Sequence, residues 1–137
     1  MGDRIGYAVG TTGPWDAFLV FTAPSPEDPL SDTGHLTGGW LLRDGALRRL
    51  DAAERHDVRD PRTGFITGLG IEGIDSDGRR LTARGTTLSR FALETGSLCV
   101  NTFVEWDVDG RAGHGEDQDV WSIGRFAERR RAERAAG

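Results

Sequence analysis

Three Asp-Gly pairs, Asp44-Gly45, Asp77-Gly78 and Asp109-Gly110, punctuate the chain, and each stands between runs of strand-like residues. Asp-Gly in that setting is the strongest short-range signal for a two-residue β-hairpin, because both central residues of the favoured turn need positive φ. Hairpins join antiparallel neighbours. A parallel pair needs a crossover of a dozen residues or more, which these short connections cannot provide. The turns therefore commit the chain to an antiparallel meander before any other feature is considered.

The intervening segments agree. Residues 16–22, DAFLVFT, are short, apolar and rich in branched and aromatic side chains, as a buried strand requires. Residues 23–34 collect three prolines with Ser, Asp and Gly and read as the longest loop. HLTGGWLLRDGALRRLDA forms a hairpin about Asp44-Gly45, and 57–64 read as a turn. In 65–74, Phe65, Leu69 and Ile71 share a face, and Gly85 marks a candidate bulge in the long strand 79–94. In 98–108, Leu98, Val100, Val104, Trp106 and Val108 alternate with Cys99, Asn101, Phe103, Glu105 and Asp107, the pattern of a half-buried antiparallel strand. A last strand at 111–122 precedes GRFAERRRAERAAG, which has good helix formers and no turn residue until its end. The expected fold is all-β: an up-and-down barrel of about eight strands over 1–122, which leaves no sheet edge, with a C-terminal helix and tail over 123–137.

Composition narrows the function. The chain has 137 residues, enough for one domain with a real core. Its net charge of −5 argues against nucleic acid as a partner, since phosphate binding needs a positive surface. The basic residues are all arginine, and the C-terminal cluster of them is interleaved with Glu128 and Glu133, as on a solvated helix face. No apolar run is long enough for a membrane-spanning helix. One cysteine, Cys99, and an opening that does not resemble a signal peptide point to the cytoplasm. Histidines 35, 56 and 114 are isolated and no C-x-x-C exists, so neither a metal nor another cofactor is expected.

The unusual segment is Gly113–Trp121, GHGEDQDVW. Four polar or acidic residues run consecutively where a strand is expected, yet only alternate residues of a strand share a face. One face carries Gly115, Asp117, Asp119 and Trp121; the other carries His114, Glu116, Gln118 and Val120. One of these sets points to the barrel axis, where polar groups must be paired or functional. A carboxyl in a poorly solvated cavity has a raised pKa and can act as a general acid, and a histidine beside it can shuttle a proton. The alternative is a twisted strand near the barrel mouth with its acids in water. The four tryptophans, Trp15, Trp40, Trp106 and Trp121, fill a core or line an apolar cavity.

Gly39-Trp40 with Arg43-Asp44-Gly45, then Asp75-Ser76-Asp77-Gly78-Arg79, then the run from Trp106 to Glu116, WDVDGRAGHGE, resemble the C-terminal barrel of the carotenoid 1,2-hydratase-like proteins. The likeness covers about residues 34–122. It implies a lipocalin-like barrel with a pocket for an apolar, polyene- or terpenoid-like substrate, and relatives of that family include cyclases of natural-product pathways. On this reading the chain is an enzyme of cyclisation, isomerisation or hydration. Glu116 is then the proton donor, His114 its partner and Gln118 a hydrogen-bond donor, with Trp40, Trp106 and Trp121 shaping the substrate cavity. Two other readings use the same barrel: a carrier that binds an apolar small molecule unchanged, and a structural half. The family holds two barrels in one chain and this chain supplies one, so a homodimer through outward apolar residues is expected. Circular dichroism is expected to be strand-dominated; a helix content above about one-third, the usual share in mixed domains, would rule the barrel out.

Overall fold

The computed structural model describes residues 4–94 and 97–136. Eight strands follow one another: β1 Arg4–Gly13, β2 Asp16–Pro24, β3 Thr33–Arg43, β4 Ala46–Arg59, β5 Ile66–Asp75, β6 Arg80–Glu94, β7 Ser97–Val108 and β8 Arg111–Ser122. A helix, α1 Ile123–Ala136, ends the chain. Each strand pairs antiparallel with its sequence neighbour, and β1 pairs with β8 from Arg4↔Trp121 to Thr11↔His114, so the meander closes into a barrel. The expected architecture is observed. Strand β1 is an addition: its Gly- and Thr-containing sequence hides an alternation in which Arg4, Gly6, Ala8 and Gly10 are buried.

Two of the Asp-Gly pairs adopt the expected turn. Asp44 and Gly45 have φ of 51° and 80°, and Asp109 and Gly110 have φ of 52° and 87°. The four hairpin turns lie at one end of the barrel, called here the turn end. Arg79 ties two of them together, donating to the carbonyls of Arg43 and Ala46 while its Nε meets Asp75 Oδ2 at 2.5 Å. The opposite, loop end carries the β2–β3 and β4–β5 connections and α1.

The middle of the barrel is apolar. Ala8, Phe18, Val20, Leu41, Leu50, Leu69, Ile71, Leu81, Ala83, Val104 and Trp106 meet along the axis. Trp106 is 1% exposed, stands edge-on to Phe18 at 5.0 Å, and donates its indole N–H to the Val9 carbonyl at 3.0 Å. Glycines make room for it. A Cβ at Gly10 would lie 2.8 Å from the Trp106 ring, and one at Gly85 would also lie 2.8 Å away. Gly85 is therefore a space-maker in regular pairing with Trp106, and the irregularity expected there falls later, between Thr87 and Arg90. Another bulge at Thr67 sets Ile66, in place of Phe65, beside Leu69 and Ile71 on the inner face. The alternation read in β7 is observed: Leu98, Val100, Val104 and Trp106 are buried, while Phe103, Glu105 and Asp107 are exposed.

Trp106→Ala is expected to cost about 3–5 kcal/mol, as large-to-small changes of buried aromatics do. Urea unfolding followed by circular dichroism measures it; an unchanged midpoint would mean that this ring does not carry the core.

Candidate functional site

At the loop end the barrel interior changes character. Three elements feed it by simple alternation. β4 points Arg55, Asp57 and Arg59 inward, β8 points Asp117, Asp119 and Trp121 inward, and β1 adds Arg4. In a ring of eight consecutive strands β4 and β8 lie opposite one another, so pairs between them are struts across the lumen.

Asp57 sits among three arginines: Arg55 Nε at 2.7 Å, Arg4 Nη2 at 3.1 Å and Arg59 Nη2 at 3.5 Å. Arg55 Nη1 reaches across to Asp117 Oδ1 at 2.5 Å, and Arg59 Nη1 to Asp119 Oδ2 at 3.0 Å. Arg4 Nε approaches Asp119 Oδ1 at 3.7 Å. Trp121 lies between two guanidinium groups, Arg4 at 4.3 Å and Arg59 at 5.2 Å from its ring centroid, as cations favour the negative face of an indole. Three arginines and three aspartates balance inside the barrel. The chain continues outward through Asp32, which accepts from Arg59 and from Arg129 of α1, each at 2.8 Å. Arg129 also donates to the Leu30 carbonyl, and Phe126 of α1 packs on Trp121 at 5.6 Å. The helix contributes no buried residue, and these contacts hold it over the loop end.

The charges respond to one another. Burial pushes the Asp119 carboxyl up, but Arg59, Arg4 and Arg55 outweigh it and hold the group below the ordinary carboxylate range. Burial alone would lower Arg55; Asp117 and Asp57 outweigh it and raise this guanidinium. Arg4 is lowered, chiefly by burial. Asp117 goes the other way from Asp119. Burial, helped by the nearby Asp119 and Asp57 and only partly offset by Arg55, raises it to about 6. Among the described residues its Oδ2 and the Arg55 Nη2 have no hydrogen-bond partner. The cavity beside Arg4, Arg55, Asp57 and Asp119 is about 10 Å³, room for a single water. Such a lattice holds strands together. Its three arginines stay charged at neutral pH.

The residues expected to be catalytic lie elsewhere. His114, Glu116 and Gln118 are on the outer face of β8, because the set containing Trp121 is the one that points inward. His114 is exposed, and Glu116 and Gln118 are half-buried among outer-wall neighbours. The three tryptophans do not meet around a cavity. Trp106 is in the apolar core, Trp121 is in the charge lattice, and Trp40 is 42% exposed on the outer wall with Arg49 5.3 Å from its ring. The inward arginines of β4 escape a reading that takes 57–64 for a turn. Their signal is the period-two run Arg55-x-Asp57-x-Arg59, the same alternation as Asp117-x-Asp119-x-Trp121. Among the described residues no group of three or more His, Cys, Asp and Glu side chains is arranged to hold a metal ion, and no helix is long and apolar enough to cross a membrane.

Fold and site together define a closed eight-stranded antiparallel barrel whose lumen is apolar in the middle and ion-paired at one end. No family model matches the sequence, and no curated protein or solved structure matches it.

The lattice has a pH signature. Unfolded, the Asp117 carboxyl titrates near 3.8; folded, near 6. Between these values the native state holds the extra proton, so this residue's contribution to stability is full below about pH 3.8 and is lost as the pH rises through 6. The difference amounts to about 3 kcal/mol at 1.36 kcal/mol per pH unit. Asp119, held low, contributes oppositely: its stabilisation is lost on acidification below the ordinary carboxylate range. Urea midpoints taken across pH 4–6.5 are expected to decline in the wild type. In Asp117→Asn that decline disappears, whatever pH-independent cost the substitution adds; an equal slope in both proteins would show that Asp117 does not titrate there.

Proposed function

We propose that this barrel is an assembly module, a structural half that works as a homodimer through its outer wall. The carrying observation is an apolar band on the outward faces of six adjacent strands. The strand registers align it in rows. Leu93, Cys99, Val120 and Ile5 form one row. Phe91, Asn101, Gln118, Tyr7 and Phe21 form the next. Phe103, Glu116, Val9, Leu19 and Trp40 form the third. Phe91, Leu93 and Phe103 are 48%, 52% and 51% exposed, and what sets them apart is that they stand together.

The rows cover fourteen positions, eleven of them apolar; at ~4.8 Å between strands and ~6.8 Å between rows, the apolar part is roughly 360 Å². Apolar patches of that size are often functional, and the area is a little under half of the ~800 Å² that each partner contributes to a standard interface, the remainder falling to the polar positions and the rim. A two-fold contact presents the same patch from both copies, so every contact across it is made twice, once in each direction. This places Glu116, Gln118 and Trp40 in an interface. Two barrels side by side would also reproduce the arrangement that the carotenoid 1,2-hydratase-like resemblance implies. Cyclisation, isomerisation or hydration of an apolar substrate inside the barrel, or its carriage there, is less favoured. The axis is occupied where Phe18, Val104 and Trp106 meet, and the acids at the loop end are already engaged by arginines.

Sedimentation equilibrium at micromolar concentration is expected to give twice the 14.9 kDa of the chain. Phe91→Glu combined with Phe103→Glu is expected to return the protein to 14.9 kDa with its circular dichroism unchanged, since buried interface aromatics are worth about 2 kcal/mol or more each. A wild-type mass of 14.9 kDa would overturn the proposal.

A further inference from the structure

The turn end of the barrel holds a cavity of about 250 Å³, at the opposite end from the ion lattice and off the outer wall. Its base is apolar: Gly10, Phe18, Leu41 and Val108. Gly10 belongs to the space that the Phe18 and Trp106 rings require, since a Cβ there would lie 2.7 Å from Phe18 and 2.8 Å from Trp106. The edge-on Phe18–Trp106 pair lies beneath the base.

Its rim is charged and unbalanced. Five ionised side chains line it: Asp16, Asp44 and Asp109 against Arg43 and Arg111. Arg43 is committed to Asp109, Nη2 to Oδ2, at 2.6 Å. The other Asp109 oxygen accepts the Thr82 N–H at 3.0 Å. Asp16 Oδ1 accepts the Asp44 N–H at 3.1 Å, and its Oδ2 has only a distant arginine, Arg111 at 3.9 Å. The Asp44 carboxylate has no hydrogen-bond or ion-pair partner among the described residues. One negative charge is left over, beside an apolar base.

We propose that this mouth is a binding site for a small monocation with an apolar body, of the aryl-alkylamine class, with the ring over Phe18, Leu41 and Val108 and the ammonium between Asp44 and Asp16. The cavity is smaller than the ~300–1,000 Å³ of drug-sized ligand sites, so the occupant is a compact one. A cation brings the charge that the rim lacks, and the overall charge of −5 favours its approach. An anion of the same shape faces Asp44 unscreened. Of the two carboxylates that would meet the ligand, Asp16 also holds the turn through the Asp44 N–H, and Asp44 is left to face the cation.

The test uses 2-phenylethylamine, with 2-phenylethanol and phenylacetate as isosteric controls, in NMR titrations of the full chain. The amine is expected to shift the amides of Gly10, Asp16, Asp44 and Val108, and to bind at least 5-fold tighter than the alcohol, with phenylacetate weakest. Asp44→Asn keeps the turn, because asparagine also adopts positive φ. It is expected to bring the amine down to the affinity of the alcohol and leave the alcohol unchanged. Equal binding of amine and alcohol by the wild type, shifts confined to other residues, or no shifts in the folded protein would each overturn the proposal. Association through the outer wall is read separately by mass, so failure of either idea leaves the other standing.

Discussion

The lumen of an eight-stranded barrel has to be filled, and here two different materials fill it. Around the middle, Trp106 supplies the bulk. Its ring needs glycine at position 10 on β1 and at position 85 on β6, and its N–H needs the Val9 carbonyl. The arrangement links β1, β6 and β7 through one side chain, and it explains why glycine recurs in strands where it otherwise weakens pairing. At the loop end arginine and aspartate do the filling instead. Long guanidinium side chains reach across the lumen, and each carboxylate answers at least one of them.

A buried ion lattice is a poor source of net stability, because desolvating the charges offsets much of their attraction. Its worth is in specificity. A slip of β8 by one residue would turn His114, Glu116, Gln118 and Val120 inward, and would leave Arg55 and Arg59 facing one β8 carboxylate, Glu116, where they now have two, Asp117 and Asp119. The loss of one member of such a pair is costly, about 3–5 kcal/mol, because the other is left buried and uncompensated. The register that closes the barrel between β8 and β1 is thereby distinguished from its neighbours. The same lattice reaches out through Asp32 to Arg129, so the helix is positioned by charge where it has no apolar face to bury.

With charge turned inward at one end, apolar side chains are left over for the outside. Phe91, Leu93, Phe103 and Trp40 stand on the wall, where a barrel that stored its hydrophobic residues in a ligand cavity would put polar ones. The turn-end mouth differs from both the loop end and the wall. There the rim charges are partly uncommitted, and the Phe18–Trp106 pair lies just beneath the surface.

The antiparallel meander, the hairpins at Asp44-Gly45 and Asp109-Gly110, the alternation of β7 and the terminal helix were all legible in the sequence. They depend on local conformational preference and on a period of two within one segment. The sequence also divided Gly113–Trp121 into two sets of side chains of which one had to face the axis. It left open which. That choice was made by partners some sixty residues away: Arg55 and Arg59 on the opposite wall accept Asp117 and Asp119 and have no use for His114 or Gln118. Burial of a strand face is a property of the closed ring, and opposite positions in a ring have no signature in either segment alone. For the same reason Trp40, Trp106 and Trp121, alike in sequence, ended on the wall, in the core and in the charge lattice, each placed by the side chains that closure brought to meet it.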